Sequence, residues 1–463
     1  VNITVIGSSG AGNVVAFPTG AAVPTSSSVN TDGPGRVVAN MVHVKVGTGG
    51  TIDLRFSRSA HVAVDLIGVY VPATGPVTSG RLVTLATGAK RVLDTRDRGY
   101  PAPANSVTHV DLTASGVPVA AAAVVLTVTA VQGQPGHWTA YTGGAARPAV
   151  STLNLDTPGQ TRANQAIVAM NGTNRTIDVY SLAGGHLLVD VVGWFTGATA
   201  SADTAGLFVP TSPIRMLDTR ILRTLAPWAR STYEFTTANP TAQVSAVALN
   251  VTALNAWDPG FVTALPAGLP VPGASNLNLT GWQQVTAAHA IVAVSTRGAA
   301  LYTSAGAHLV ADVAGWYLGT PTTPTRAPQA NPTFNPNPVN SVYVPSLGVF
   351  VGTRSGPDPD AIVDQGYAAV TGSLLNVANV GNVMLFAHRT SGTAPFRYLN
   401  QLQVGGEFSL VGADGHWYHY KVVRTAVTTP DYSSIAGQAA GQGSVTAQLI
   451  ACSRSNGTPG GTS

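Results

Sequence analysis

Cysteine is almost missing from this sequence: Cys452 is the only one in 463 residues. No disulfide can close within the chain, and one thiol is too few for a thiolate metal cage. Charge is scarce as well, at 10% of residues with three lysines (Lys45, Lys90 and Lys421), and the net charge of +4 comes from scattered arginines. No basic stripe is interleaved with aromatics, which argues against nucleic-acid binding. No apolar run has the length of a membrane span. The longest, Val117 to Val131, is broken by Pro118 and two threonines. No cofactor-binding motif is present, and none is expected to be needed.

What the chain has in quantity is glycine (51), proline (31) and strand-forming Val and Thr, with 44% hydrophobic residues overall. That mixture predicts an all-β protein of many short strands joined by turns. The sequence does not begin with methionine, and no charged region precedes an apolar one. A signal peptide is therefore expected to have been removed, and export to the cell surface or beyond it is the expected location.

A repeat of about 124 residues organises the first two thirds of the chain. Arg91-Val-Leu-Asp94-Thr-Arg96 returns as Arg215-Met-Leu-Asp218-Thr-Arg220, and Ser151-Thr-Leu-Asn154 returns as Ser275-Asn-Leu-Asn278. Ala39-Asn40 matches Ala163-Asn164 and Ala287-Ala288. A closing motif occurs three times, from His61 to Gly68, from His186 through Asp190 to Gly193, and from His308 through Asp312 to Gly315. An aromatic residue follows each glycine.

Strands read within one unit include Val124–Val131, Trp138–Tyr141, Thr176–Tyr180 and His186–Val192. Tandem antiparallel β-sandwich or barrel-like units result, expected as beads with separate cores. On a strand, His186 and Asp190 stand roughly 13 Å apart, too far to share a metal. Together with His308, Asp312, Asp94, Arg96, Asp218 and Arg220 they are read as structural corners. The tryptophans are read as core rather than as a carbohydrate platform.

The expected organisation is a partial unit at 1–72, full units at 80–197 and 206–318, a Pro-rich linker at 319–340 and a final β domain at 341–463. The first unit reads as lacking its N-terminal half. Either residues that precede Val1 supply the missing strands, or another chain does so by donor-strand complementation, which predicts partners that are further copies of the chain. The units resemble repeats of secreted and surface proteins of actinobacteria, and that resemblance implies an extracellular, stalk-like or adhesive role.

In the final segment, the apolar run Val383-Met-Leu-Phe-Ala387 ends at His388-Arg389, and another apolar run ends at Cys452. From these residues alone, Cys452 is either a small buried hydrophobe or a nucleophile activated by a histidine. Val344-Pro-Ser-Leu-Gly-Val349, Gly381 to Ser391, Pro395-Phe-Arg-Tyr-Leu399 and Leu449-Ile-Ala-Cys452 together resemble the sortase family. That resemblance implies an eight-stranded β-barrel cysteine transpeptidase, with a sorting-signal peptide as substrate and a cell-wall or pilin amine as acceptor. It implies Cys452 as nucleophile and His388 as general acid, with Arg389 and Arg454 as weaker substrate contacts. The family's arginine on the strand after the cysteine has no counterpart before Ser463, so weak or absent activity is expected. A structural subunit of a fibre or surface layer, carrying a sortase-like barrel, is the expected role, with a secreted transpeptidase as the alternative.

Overall fold

The computed structural model describes residues 1–220, 231–237, 243–256, 259–281, 284–304, 306–328, 340–344, 347, 349–364, 367–371, 382–388, 396–412, 417–426 and 446–451. The chain divides into two compact units, Val1–Thr333 and Phe334–Ser463. It is a nearly all-β protein, as its composition predicts.

Three β modules build the first unit. The first has β1 (Asn2–Ile6), β2 (Gly12–Pro18), β3 (Val29–Thr31), β4 (Val37–Met41), β5 (Ile52–Phe56) and β6 (His61–Asp65). They form two three-stranded sheets, ordered β4-β1-β6 and β3-β2-β5.

The second module runs through β7 (Leu82–Thr84), β8 (Lys90–Asp94), β9 (Ser106–Asp111), β10 (Ala123–Gly133) and β11 (Gly136–Thr142). It continues with β12 (Leu153–Leu155), β13 (Gln160–Ala169), β14 (Thr176–Ser181) and β15 (His186–Phe195). Its sheets are β13-β10-β15-β7, with β8 also on β15, and β12-β11-β14-β9.

The third module has β16 (Phe208–Asp218), β17 (Ser231–Phe235), β18 (Val244–Leu254) and β19 (Gly260–Pro266). β20 (Leu277–Leu279), β21 (Thr286–Ala293), β22 (Ala299–Thr303) and β23 (His308–Leu318) complete it. They are arranged as β16-β23-β18-β21 and β17-β22-β19-β20.

Side-chain alternation along the central strands explains the packing. On β10, Val124, Leu126 and Val128 point into the core of their own module. Val125, between them, points the other way, into a cluster with Met41, Ala246, Ala248, Ile291, Phe195 and Tyr317 from all three modules. Both faces of the strand are buried, which is why its sequence is a continuous apolar run rather than an alternating one. Each module has its own core, as the separate-beads expectation has it, and a fourth core that this expectation misses joins the three.

The modules close in a cycle. β12 packs on β4, β20 on β13 and β3 on β21, while β4, β13 and β21 meet one another at the centre. The rings of Tyr70, Phe195 and Tyr317, one from each module, form a nearly equilateral triangle with centroid separations of 6.2, 6.3 and 6.3 Å.

The recurring Ala-Asn pair is the clasp. Asn40 Nδ2 donates to Ser28 O (2.6 Å) and to Asn250 Oδ1 (3.1 Å), and its Oδ1 accepts from His289 N–H (2.8 Å). Asn164 repeats the set with Thr152 O (2.8 Å), Asn2 Oδ1 (3.1 Å) and Met41 N–H (3.2 Å). In the third copy the position is Ala288, and the buried Thr127 Oγ1 at that interface has no partner among the described residues. Gln165 substitutes there: its Oε1 accepts from Ile291 N–H (2.6 Å) and its Nε2 donates to Ile291 O (3.3 Å).

Gln165 also orders a buried column of rings. With Oε1 fixed as acceptor, His289 Nδ1–H donates to it (3.2 Å), so the neutral His289 Nε2 accepts from His43 Nδ1–H (2.8 Å). His43 Nε2 is then an acceptor facing the hydroxyls of Tyr70 (2.8 Å) and Tyr317 (3.1 Å), which stand 2.6 Å apart: one donates to Nε2 and accepts from the other. Both histidines are thereby held neutral. Desolvation depresses His289 well below the usual range and His43 to about 3.

The start of the expected linker is docked on the third module. Thr322 bonds Val294 and Thr296, and Thr325 and Arg326 bond Gly268 O. Residues 329–339 lie outside the described residues.

The second unit holds β24 (Ser341–Val344), β25 (Val349–Arg354), α1 (Pro359–Asp364), β26 (Ala368–Thr371) and β27 (Asn382–Phe386), followed by β28 (Glu407–Val411), β29 (Trp417–Lys421) and β30 (Thr446–Ile450). They make a seven-stranded, nearly closed barrel-like sheet ordered β29-β28-β24-β25-β26-β27-β30. Two pairings are parallel, β25 with β26 and β27 with β30, which a reading of local strand patterns does not anticipate.

Candidate active site

β27 carries the apolar run Val383-Met-Leu-Phe-Ala387, with Val383, Leu385 and Ala387 buried on one face. Its parallel partner β30 runs in register from Asn382↔Thr446 to Phe386↔Ile450, and Ala387 N–H continues the ladder to Ile450 O at 3.3 Å. Parallel neighbours end on the same rim of a sheet. His388 follows the paired end of one strand by two residues, and Cys452 follows the paired end of the other by two. Cys452, Arg389 and Arg454 lie outside the described residues.

His388 is half-buried and doubly anchored. Its carbonyl accepts from the N–H of the fully buried Phe396 at 3.0 Å. Its Nε2–H donates to Asp364 Oδ1 at 2.7 Å. In the neutral form with the hydrogen on Nε2, Nδ1 is the ring's acceptor, and it has no partner among the described residues.

Asp364 is held by α1. Pro359 opens this helix with a φ already suited to it, and Asp358 Oδ1 caps it by accepting from Ala361 N–H at 3.1 Å. Ile362 and Val363 are buried and pack with Ala369, Tyr367 and Phe386, fixing the helix beside β27. The Asp364 side chain is 73% exposed, so the pair adds little stability and acts mainly on ring orientation. Sequence reasoning missed Asp364. The signal was the Asp358-Pro359 pair, a capping residue followed by a proline at the first helical position.

The repeat motifs are brought together in the first unit, each as a closed ion-pair set. Asp190, fully buried on β15, receives a bidentate pair from Arg91 of β8, Nε–Oδ1 at 2.9 Å and Nη2–Oδ2 at 3.0 Å. Asp312 receives the same from Arg215 of β16 at 3.0 and 3.2 Å. Asp94 binds the side chain of Arg96 at 2.9 and 2.6 Å and its N–H at 3.0 Å. Asp218 does so with Arg220 at 2.8, 2.6 and 3.1 Å.

These arginine contacts hold the carboxyls of Asp94 and Asp218 below the usual range, whereas burial pushes those of Asp190 and Asp312 up against their arginines. The threonine between Asp and Arg locks the closing strand: Leu187 N–H donates to Thr95 Oγ1 and Leu309 N–H to Thr219 Oγ1, both at 2.9 Å. His186 Nδ1 and His308 Nδ1 reach the same hydroxyls at 3.1 and 3.4 Å. Every group in these sets is engaged by a neighbour of its own fold. Trp138 and Trp316 are buried, and Trp257 and Trp282 lie outside the described residues.

Residues 342–461 match the family model of the sortase domain. The C-terminal unit is thus sortase-like, and its family implies interaction with a substrate peptide at or outside the cell surface. A search of curated proteins finds no match to the chain. Among the described residues, no helix is long and apolar enough to cross a membrane.

Proposed function

We propose that the C-terminal unit is a sortase-type cysteine transpeptidase acting on exported surface proteins. The observation that carries this reading is the in-register parallel pairing of β27 with β30, whose continuations are His388 and Cys452. In this reading Cys452 gives its thiol proton to His388, and the resulting thiolate attacks the scissile carbonyl of a sorting-signal peptide. The tetrahedral adduct expels the amine of the downstream fragment, which takes its proton from His388, and a thioester remains. An incoming amine of a cell-wall precursor or pilin attacks the thioester, gives its proton to His388 and releases Cys452. Asp364 orients the ring throughout. Arg389 and Arg454 are the nearby cations in sequence for substrate contact.

The test is capture of Cys452 by a peptidyl vinyl sulfone on the intact 463-residue protein, read by intact mass. One adduct is expected, absent in Cys452→Ala and slowed in His388→Ala. A native protein that gains no adduct, although its unfolded thiol alkylates normally, sinks the transpeptidase reading.

A second reading treats the chain as a structural subunit of a surface layer or filament, and the share of the chain given to the β modules, Val1–Thr333, favours it. Electron microscopy that shows only dispersed particles at all concentrations counts against that role.

A further inference from the structure

The three modules meet at three equivalent interfaces, and two of them carry the same set of side-chain bonds. Between the first and second modules, Asn164 bonds Asn2, Asn2 Nδ2 donates in turn to Ser151 O (2.6 Å), and the hydroxyls of Thr4 and Ser151 stand 3.3 Å apart. Between the third and first, Asn40 bonds Asn250, Asn250 Nδ2 donates to Ser27 O, and the hydroxyls of Thr252 and Ser27 stand 3.4 Å apart.

At the interface of the second and third modules this set is missing. Asn2 faces Asp65, Thr127 faces Asp190 and Asn250 faces Asp312 across their strand pairs, so Thr127 and Thr129 hold the places of Asn2 and Thr4. The repeat puts Ala288 in the place of Asn40 and Asn164, and Ser275 in that of Ser27 and Ser151. Ala288 has no amide to give. Thr127 and Thr129 are each 1% exposed, and their hydroxyls have no partner among the described residues. Ser275 Oγ is engaged, among the described residues, by Asn278 of its own module alone. Two buried hydroxyls left unmet cost this interface desolvation free energy that bonds offset at the other two.

One side chain crosses in their place. Gln165 takes Ile291 N–H and His289 Nδ1–H on its carbonyl and gives its amide to Ile291 O. Among the described residues, no other side-chain hydrogen bond joins the facing strands of these two modules. The connecting segment between them is held separately: Arg81 donates to Ser201 O (2.6 Å) and Ala205 O (2.9 Å). The two faces can therefore part while the modules stay tethered at one side.

We propose that the interface of the second and third modules is the seam at which the cycle opens, with Gln165 as its latch, while Asn40 and Asn164 keep the first module on both neighbours. Opening wets the apolar side chains of Val125, Ile167 and Ile291 in the shared core. The edge strands β4, β13 and β21 supply natural reporters, because their outward N–H groups depend on the neighbouring module. Met41 N–H is covered by Asn164, His289 N–H by Asn40 and Ile291 N–H by Gln165.

Hydrogen exchange of the intact protein, resolved to single amides and corrected for intrinsic rates, tests the seam. Ile291 N–H is expected to exchange at least about tenfold faster than Met41 and His289 N–H, the factor that one or two net hydrogen bonds give. Thr127→Asn/Ala288→Asn supplies the set of the other two interfaces without touching Gln165. It should slow Ile291 about tenfold and leave Met41 unchanged. Should that variant not fold, Thr127→Val/Thr129→Val removes the unmet hydroxyls without added bulk and should slow the same amide. Thr4→Val, the same change at a clasped interface, should instead hasten Met41. Exchange of Ile291 as slow as that of Met41 and His289 overturns the proposal, as does an Ile291 rate that neither double variant changes.

Discussion

Lowering the pH from 7 to 5 should weaken the first unit through the two histidines at its centre. Gln165 Oε1 sets the direction of the whole column, so His289 and His43 are neutral in the fold. Protonating His289 would bring two N–H groups face to face across 2.8 Å, and protonating His43 at Nε2 would remove the acceptor of a tyrosine hydroxyl. In the unfolded chain each titrates near 6.5. Their folded values are depressed, so their stabilisation is complete above about pH 6.5 and is lost progressively as the pH falls toward the folded value, about 3 for His43.

Between pH 7 and 5, each neutral histidine withdraws about 1.9 kcal/mol, and the pair roughly 4 kcal/mol. For a unit of the size of Val1–Thr333 this corresponds to a fall in Tm of about 6 °C. Asp190 and Asp312, raised by burial, act in the opposite sense as the pH falls, so the comparison has to be made with variants. Calorimetry of the intact chain at both pH values, beside His43→Asn/His289→Gln, isolates the effect. The double variant should lose markedly less Tm than the parent. Equal losses in both would show that the column is not neutral, or that it does not control acid stability, and the argument from Gln165 would fail.

Asp190→Ala should cost about 3 kcal/mol in urea unfolding, because it strands the Arg91 guanidinium beside an apolar strand. Combining Asp190→Leu with Arg91→Met should recover most of it. In the second unit, Asp364→Asn should slow vinyl sulfone capture at Cys452 by less than about tenfold, in keeping with an exposed pair, and Asp364→Glu should restore it. No change in rate with Asp364→Asn would remove Asp364 from the positioning role. Capture at Cys452 itself carries its own test above.

The second unit shows how far strand-level reading reaches. The runs ending at His388 and Cys452 were legible because apolar strand residues followed by a single reactive residue form a local pattern. Asp364 was not, because nothing in its own neighbourhood distinguishes a carboxylate that ends a six-residue helix from any other surface aspartate. In the first unit, Asp94 and Arg96 could be recognised as a local pair two residues apart. The more buried partner of the set, Asp190, bonds an arginine 99 residues away.

By itself the sequence determined the all-β class, the repeat and its period, the closing motif with its glycine, and the sortase-like motifs of the last segment. These follow from short-range patterns of side-chain size, polarity and turn chemistry, which act within a strand and its adjoining turns. Only the tertiary structure decided that the three modules close around one shared core, that Asn40 and Asn164 are its clasps, and that Gln165 replaces the third. It alone brought His43 to His289 across 246 residues and set β27 parallel to β30. Such relations depend on which faces meet and in what register, and a one-dimensional pattern carries that information only once the chain has been folded onto itself.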